Sequence, residues 1–307
     1  MEDYNKIIES LSVRFIKSKN IRILQPVTIQ NYYDVENTIL ILNRGEIKYG
    51  PESMVVDGGN ILFIPGGKMV SITYGSGEAV QLSNDDFINN KELYFQSLET
   101  TDITKLEAEN FSYITFDAKV FDSVNFFASL DIPPFVIDDN KRIVELIKDI
   151  LKENSSDFPG KQRIIKLSTE RLVVEIIRHI LESRMFVEQL ATNSTYFKDP
   201  RLIDIFAYIK DNIGGDLSNK VLANVANVSE DYVGQYFKML TGINPQDYIE
   251  YQRMEQAVSL LRTTKKSIRE IGKEVGYKDT AYFCRRFKMM FGIPAGKMRR
   301  RESLMNI

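Results

Sequence analysis

Near its end the chain reads Phe237-Lys238-Met239-Leu240-Thr241-Gly242-Ile243, and it repeats this pattern as Phe287-Lys288-Met289-Met290-Phe291-Gly292-Ile293. The two copies lie 50 residues apart, a period that marks a repeated supersecondary unit. Each copy closes a short predicted helix on a glycine, and another short helix and a tight turn precede it. The repeat therefore predicts two tandem helix-turn-helix units, for which double-stranded DNA is the first partner to consider.

The net charge of −2 hides an uneven distribution along the chain. Residues 262–301 hold 13 basic and 3 acidic side chains, a balance of about +10, whereas residues 1–195 come to about −8. A charge run is often only a solvated face, but this one falls on the second helix-turn-helix unit, where phosphate contact has a physical reason. We therefore favour DNA over a merely solvated surface.

The composition excludes several classes of protein. No stretch approaches 18 uncharged apolar residues, and the acidic N-terminus lacks the apolar segment of a secretory signal, so we expect a cytoplasmic protein without a membrane span. The single cysteine, Cys284, excludes an internal disulfide and a Cys-rich zinc site. The single histidine, His179, cannot build a metal site alone, and we expect a structural role for it.

Residues 20 to about 120 are predicted to be β structure, because short apolar runs alternate with Gly-rich turns. This spacing is typical of a β-sandwich or barrel. The predicted strands are Thr38–Leu42, Ile47–Tyr49, Ser53–Val56, Asn60–Ile64, Met69–Tyr74 and Phe111–Phe116. Their aromatic side chains are more often core residues than the lining of an apolar ligand cavity; examples are Phe63, Tyr74, Phe95, Tyr113 and Phe116.

The apolar period changes after the predicted β region. Residues 143–151 follow the spacing of an amphipathic helix, and a longer helix is predicted from about Gln162 to Glu188. Its apolar set is too broad for a surface helix, so we expect it to be buried or shared with a second copy in a homodimer. The loop Thr192–Thr195 with Asp199-Pro200 predicts a boundary between domains 1–190 and 196–307. Residues 201–298 read as nearly continuous helix, which gives an α+β protein.

The first helix-turn-helix unit is predicted from a helix at Ser218–Val225, a turn at Ala226–Val228 and a recognition helix capped by Ser229. Helical spacing divides the recognition helix into two faces. The inward face holds Val233, Tyr236, Phe237 and Leu240. The outward face holds Asp231, Gly234, Gln235 and Lys238. Gly242 is expected to end this helix in the left-handed conformation.

The second unit begins with a capping box, Ser267-x-x-Glu270, and turns at Gly276-Tyr277 before a recognition helix capped by Asp279. Phe283, Phe287 and Met290 are predicted to face inward. The outward residues are Ala281, Cys284, Arg285 and Lys288, with Thr280 at the exposed N-terminal end. Arg285 can form two hydrogen bonds to guanine, worth about 1–3 kcal/mol in discrimination. Arg286 and Lys288 are expected to contact phosphates, and Cys284 is more readily a small residue beside DNA than a redox switch.

A linker helix is predicted between the units, from Pro245 to Arg262. About 18 residues span about 27 Å as a helix. A rigid element of that length can hold two recognition helices about one DNA turn apart, near 34 Å. One chain would then read two successive major-groove segments on one face of the duplex.

The C-terminal part of the chain resembles the AraC/XylS family of bacterial transcription regulators. The residues that carry the resemblance are Leu222, Ala223, Val228, Ser229, Phe237, Lys238, Gly242, Pro245, Tyr248, Arg253, Ala257, Leu260, Leu261, Ser267, Ile268, Glu270, Ile271, Val275, Gly276, Tyr277, Tyr282, Phe283, Arg286, Phe287, Lys288, Phe291, Gly292, Pro294 and Arg299. The resemblance implies an activator or repressor of transcription, often dimeric, with an N-terminal sensing domain. RNA polymerase and a small-molecule effector are its candidate partners, and Arg299 joins the candidate DNA-binding residues.

The N-terminal half looks like the cupin-like domain and dimer helices of many members, through Leu40–Gly45 and Gly59–Pro65. Two positions depart from the family pattern: Gly272 replaces an alanine, and the first recognition helix offers Asp231 and Gly234 on its outer face. Asp231 would lie near phosphates unless it accepts from a cytosine amine, and Gly234 has no side chain to read with. We therefore expect the first unit to contribute positioning and the second to carry most of the affinity.

Two rival functions belong to other classes. A cupin-type metal enzyme with a helical accessory domain would need a histidine-rich cluster, which one histidine cannot supply. An interaction protein whose tandem units bind protein instead of DNA is disfavoured by the charge of the second unit. We assign no catalytic residue, metal or cofactor.

Overall fold

The computed structural model describes residues 2–98, 106–120, 124–187, 199–241 and 243–300. The described strands are β1 (Leu11–Ile23), β2 (Val27–Tyr33), β3 (Asn37–Arg44), β4 (Ile47–Tyr49), β5 (Met54–Val56), β6 (Ile61–Ile64), β7 (Met69–Tyr74), β8 (Val80–Leu82), β9 (Phe95–Leu98), β10 (Asn110–Val120), β11 (Val124–Asn125) and β12 (Phe135–Ile137). The described helices are α1 (Glu2–Glu9), α2 (Asn84–Asn90), α3 (Phe126–Ser129), α4 (Lys141–Asn154), α5 (Lys161–Glu182), α6 (Pro200–Asp211), α7 (Asn219–Ala226), α8 (Glu230–Thr241), α9 (Pro245–Thr263), α10 (Ile268–Glu274), α11 (Thr280–Phe291) and α12 (Ala295–Arg300). This order confirms the α+β class.

The described strands form two sheets. One has the order β12-β6-β3-β10-β1-β9, with β11 beside β10, and the other has the order β5-β4-β7-β2-β8. All pairs are antiparallel except β2 with β8. The apolar run at Thr38–Leu42 lies in β3, which is buried on both faces because a core lies on each side of the first sheet.

Aromatic side chains fill the interior of the sandwich. The Tyr74 ring lies 5.0 Å from the Phe95 ring and 5.1 Å from the Phe111 ring, measured between centroids. These side chains are buried together with Tyr113, and Phe63 and Phe116 are buried on the opposite face of the first sheet. The expectation that the aromatic residues of the β region form core is therefore confirmed.

Strand β1 begins at Leu11, nine residues before the β region that the sequence predicted. It pairs along β10 as far as Val120, with a register shift between Phe15 and Lys17. Arg14 faces Asp117 across this pair and forms an ion pair with it. The sequence did not predict this part of β1, because polar side chains interrupt its apolar pattern. Backbone hydrogen bonds hold the strand pair together whatever the polarity of the side chains.

Helices α4 and α5 cover the outer face of the first sheet. Their buried residues join the core there, including Ile147, Leu172 and Ile176. Helix α5 ends at Glu182 and does not continue to Glu188, which lies outside the described residues. The chain turns there because Arg184 and Phe186 adopt left-handed backbone with φ of 52° and 55°.

The C-terminal region is helical from Pro200 onward, as predicted. Asp199 caps α6 by accepting a hydrogen bond from the Arg201 backbone nitrogen. The predicted boundary loop Thr192–Thr195 and the predicted helix end at Gly242 lie outside the described residues. Among the described helices, none has the length and apolar character needed to span a bilayer.

Candidate nucleic-acid interface

The first helix-turn-helix unit is built from α7 and α8. Asn227 makes the turn in the left-handed conformation, with φ of 53°, a conformation that asparagine tolerates better than most residues. Val233, Tyr236 and Phe237 are buried on the inner face of α8. The Phe237 ring lies 5.6 Å from the rings of both Phe206 and Tyr248, so α8 is fixed against α6 and α9.

The outer face of α8 is open to solvent. Asp231, Gln235 and Lys238 are exposed, as the sequence spacing predicted. Gly234 is partly buried, and a Cβ atom there would meet only the Asn219 amide nitrogen at 3.6 Å. This face therefore presents one acidic, one amide and one basic side chain.

The second unit is built from α10 and α11. The capping box is present, because Ser267 accepts from the Glu270 backbone nitrogen while the Glu270 carboxylate accepts from the Ser267 backbone nitrogen. Hydrogen bonds from the Ser267 side chain and from the Ser267 backbone nitrogen lower the pKa of the Glu270 carboxyl. Asp279 caps α11, and Phe283 and Phe287 are buried. Gly272 packs closely on α11, since a Cβ atom there would lie 3.3 Å from the Phe283 ring.

The outer face of α11 carries five of the ten predicted DNA-binding residues. Ala281, Arg285 and Lys288 are exposed, whereas Thr280 and Cys284 are partly buried. The Arg285 guanidinium lies 6.0 Å from the centre of the Tyr282 ring, within the range of a cation–π contact. Arg285 and Lys288 thus stand in solvent on the side opposite the core.

Arg286 and Arg299 differ from Arg285, because both have partners within the chain. The Arg286 Nε atom donates to Glu250 of α9 at 2.5 Å. Arg299 donates to the backbone carbonyl oxygen of Lys266, just before α10. These contacts brace the second unit, so a phosphate contact by Arg286 or Arg299 remains a prediction that must compete with them.

The linker helix α9 anchors both units, a role that sequence spacing could not assign. Arg253 donates from Nε to the Ile213 carbonyl oxygen and from Nη2 to the Gly215 carbonyl oxygen, each at 2.9 Å. Glu250, three residues earlier, holds Arg286 of the second unit. Residues three apart share a helix face, so neighbouring side chains of α9 hold the loop that leads into the first unit and helix α11 of the second unit.

A cluster of polar and aromatic side chains fixes the start of α6, the first helix of the helical region. Arg201 pairs with Asp199 at 3.0 Å, and its guanidinium lies 4.8 Å from the centre of the Tyr236 ring. The hydrogen bond from Arg201 lowers the pKa of Asp199, while burial and the neighbouring Asp199 raise the pKa of Tyr236 to about 12. The sequence did not reveal this cluster, because Asp199-Pro200 indicated only a domain boundary.

A buried charge cluster joins the sandwich to the linker helix. Arg262, in the last turn of α9, places Nη1 2.7 Å from both carboxylate oxygens of Glu36 and Nη2 3.1 Å from Asp34. Burial and the neighbouring Asp34 raise the pKa of Glu36 to about 8. Beside this cluster, the Tyr33 ring lies 4.9 Å from the ring of Phe291 at the end of α11.

The described residues offer no group of three or more His, Cys, Asp and Glu side chains that could hold a metal ion. His179 instead lies within hydrogen-bond distance of Asn140, 3.3 Å from its amide nitrogen to Nδ1, and burial lowers the pKa of the imidazole. Cys284 is a free cysteine on α11.

Comparison with known proteins assigns the family. Residues 222–301 match a family model described as a helix-turn-helix domain. The TetD protein of transposon Tn10 from Escherichia coli is 31% identical over 114 residues, which make up 37% of this chain and 83% of TetD. The arabinose operon regulatory protein of Escherichia coli K12 is 31% identical over 134 residues, 43% of this chain and 44% of that protein. The chain belongs to the AraC/XylS family of transcription regulators. The resemblance drawn from the sequence is thereby confirmed.

The fold of this AraC/XylS-type chain also has a full-length counterpart. ToxT from Vibrio cholerae superimposes with a TM-score of 0.54 at 12% identity, over 97% of this chain and all of ToxT. Sequence matches are shorter: a transcriptional regulator of Haemophilus influenzae is 24% identical over 159 residues, 52% of either chain. The chain thus spans about half the length of that relative, whereas the fold it shares with ToxT extends over 97% of the chain.

Proposed function

We propose that this regulator binds double-stranded DNA sequence-specifically and reads two successive major-groove segments with α8 and α11. The observation that carries the proposal is that α9 contacts both recognition helices: its Tyr248 ring lies beside Phe237 of α8, and its Glu250 carboxylate holds Arg286 of α11. Two recognition helices fixed to one rod keep a set spacing, as two successive groove segments require. The reading side chains are Asp231, Gln235 and Lys238 in the first unit, and Thr280, Ala281, Cys284, Arg285 and Lys288 in the second.

The second unit is proposed to supply most of the affinity. Its outer face carries two positive side chains, Arg285 and Lys288. On the outer face of the first unit, the negative charge of Asp231 offsets the positive charge of Lys238. Phosphate neutralisation dominates the affinity of most DNA-binding proteins, so the more basic unit should bind more strongly. Arg286 and Arg299 are proposed to support this unit mainly through their internal hydrogen bonds.

The N-terminal region is proposed to be a cupin-like sensing domain, residues 1–190, followed by the DNA-binding domain, residues 196–307. Sheet order and the full-length likeness to ToxT support this division. One ToxT structure is described as bound to an unsaturated fatty acid, and its fold covers 94% of this chain with a TM-score of 0.50. That supports a small-molecule effector without fixing its chemistry. The Arg262 cluster would carry its signal to α9.

Dimerisation is proposed to use α5. Ile164 and Leu167 of this helix are exposed by 48% and 47%, whereas six of its apolar residues are buried: Ile165, Leu172, Val173, Ile176, Ile177 and Ile180. A second copy would cover them, and sedimentation at micromolar concentration would measure the resulting mass. We further propose a cytoplasmic location and contact with RNA polymerase, as expected of a bacterial transcription regulator.

The function is tested by selecting bound sequences from fragmented genomic DNA with the full-length protein. We expect an enriched motif of two elements about 10 base pairs apart. Arg285→Ala should lose the motif, since it removes the exposed guanidinium of the second reading face. Arg22→Ala, which removes the same charge from an exposed position of β1, should retain it. Failure of the wild-type protein to enrich any motif would contradict the proposal.

A further inference from the structure

The helical region exposes large apolar side chains at a few selected places. Among its described residues, 199–241 and 243–300, they are Tyr232, Met239, Ile243, Tyr282 and Met289. Met239 and Met289 are the most exposed, at 68% and 66%. Four of the five lie on the two recognition helices, and the fifth follows the first of them. Exposed apolar groups gathered on proposed reading helices call for a partner surface.

The four residues occupy equivalent positions in the two units. Tyr232 and Tyr282 are 50 residues apart, as are Met239 and Met289. Within each helix the tyrosine and the methionine are seven residues apart, which is about two helical turns. The proposed reading residue lies between them: Gln235 in α8 and Arg285 in α11. Each recognition helix thus presents one stripe in the order tyrosine, polar reader, methionine.

This stripe has the dimensions and chemistry of a major-groove contact. A helix with side chains is about 10–12 Å wide, and the major groove is about 12 Å wide, so the whole exposed arc of an inserted helix approaches DNA. The apolar group that the groove displays on base edges is the thymine 5-methyl. Methionine is flexible and polarisable, which suits contact with a small methyl group.

DNA fits this stripe better than a protein partner does. Lys238 and Lys288 directly precede the two methionines, so the apolar groups are continuous with basic ones that complement phosphates. The Arg285 guanidinium also lies within 6.0 Å of the Tyr282 ring centre. A helix face that carries both a hydrogen-bonding reader and apolar groups suits a groove that displays polar base edges together with the methyl group of each thymine.

We propose that Met239 and Met289, together with Tyr232 and Tyr282, contact thymine methyl groups beside the base pairs read by Gln235 and Arg285. The proposal rests on the DNA-reading function proposed above and adds a specificity rule. Because the stripe recurs in both units, thymine should recur at equivalent positions in the two elements of the target. Loss of one methyl contact should weaken binding about fourfold, the factor expected for burying one carbon.

The test uses the full-length protein and a duplex carrying its selected motif. Each thymine is replaced in turn by 2′-deoxyuridine, which removes only the methyl group, and affinity is measured by fluorescence anisotropy at constant salt. Met239→Ala and Met289→Ala are compared with Met54→Ala, an equally apolar position on β5 that is 51% exposed. All three positions lie at the surface, so circular dichroism should show unchanged folding.

The expected result is a loss of about fourfold at one thymine or more in each element for the wild type and Met54→Ala. Met289→Ala should bind the thymine duplex more weakly and lose its sensitivity in one element, and Met239→Ala in the other. Equal sensitivity in all variants, or none in the wild type, overturns the proposal. If Arg285→Ala still abolishes binding in that case, the DNA-reading function stands. If the wild type binds no motif, both proposals fail together.

Discussion

At the scale of single residues, Gly276 in the turn of the second unit lies against Arg253 of the linker helix α9. Its φ of +91° is a left-handed value, and a Cβ atom there would lie 2.7 Å from the guanidinium carbon of Arg253. Arg253 uses that guanidinium to bind the carbonyl oxygens of Ile213 and Gly215. A glycine in the turn of the second unit thus leaves room for the Arg253 guanidinium, which holds the loop that leads into the first unit.

We expect Gly276→Ala to lower the free energy of unfolding by about 2–4 kcal/mol, because it combines backbone strain with displacement of a charged hydrogen-bond donor. Urea denaturation followed by circular dichroism at 222 nm measures the change. Gly234→Ala is the matched control, since its Cβ atom meets only an ordinary contact at 3.6 Å. Alanine there should raise stability by about 0.5–1 kcal/mol through helix propensity. Equal stability of the two variants would contradict this account.

At the scale of secondary-structure elements, the orientation of α11 depends on its contact with α9. Glu250 and Arg286 form a bidentate ion pair that is partly shielded from water, with 21% and 30% of their side chains exposed. Phe287 and Phe291 of α11 are buried in one apolar cluster with Met254, Val258 and Leu261 of α9, which supplies the apolar part of the contact. Apolar packing holds the helix in place, and the ion pair fixes its rotation.

A double-mutant cycle on Glu250→Gln and Arg286→Gln should therefore show a coupling free energy of about 1 kcal/mol in unfolding. Each single variant should also weaken DNA binding, because α11 would lose a fixed orientation. The surface pair Lys266 and Glu274, whose side chains are 45% and 41% exposed, serves as the control and should show weaker coupling. A Glu250 variant with unchanged DNA affinity would show that α11 is oriented by packing alone.

At the scale of the whole molecule, a small corner of the sandwich meets the helical region. Asp34, Glu36 and Arg262 are buried there, with 4%, 13% and 15% of their side chains exposed. Lys17 interacts electrostatically with all three of these groups, and burial lowers its pKa to about 8. Removing one partner from such a buried cluster leaves an uncompensated charge, which typically costs about 3–5 kcal/mol.

Stability should depend on pH through Glu36. Its pKa is raised from 4.5 to about 8, so the folded state binds the proton more tightly than the unfolded state does. The stabilisation that Glu36 gives to the folded state is fully present below pH 4.5 and is lost as the pH rises through about 8. Between pH 5 and pH 7.5 the unfolding free energy should fall by more than about 1 kcal/mol in the wild type, and by less in Glu36→Gln.

This window avoids the titration of Lys17, whose lowered pKa acts in the opposite sense. The contribution of Lys17 is present above pH 10.5 and is lost as the pH falls through about 8. Asp34, Arg262 and Lys19 also act electrostatically on Lys17, and Asp34 acts on Glu36 as well. An Asp34→Asn variant is therefore the control for the charge that both groups share. Parallel pH profiles for the wild type and Glu36→Gln would exclude Glu36 as the titrating group.

Local patterns predicted most elements of the helical region and several strands. The capping box at Ser267, the Asp279 cap and the inward positions of Phe283 and Phe287 all depend on residues at most four apart, and all are confirmed. The early end of α5 was missed, because left-handed backbone at Arg184 and Phe186 has no glycine to signal it. Strand β1 was missed because its partner β10 lies about 100 residues away.

The sequence by itself determined the tandem helix-turn-helix architecture, the family and the division of each recognition helix into inner and outer faces. Those properties follow from helical periodicity and capping, which act over a few residues. Only the tertiary structure decided which charged side chains are engaged internally. Arg286 meets Glu250 from 36 residues away, and Arg262 meets Asp34 from 228 residues away. No local pattern encodes such pairs, because chain folding brings the partners together and burial decides their pKa values.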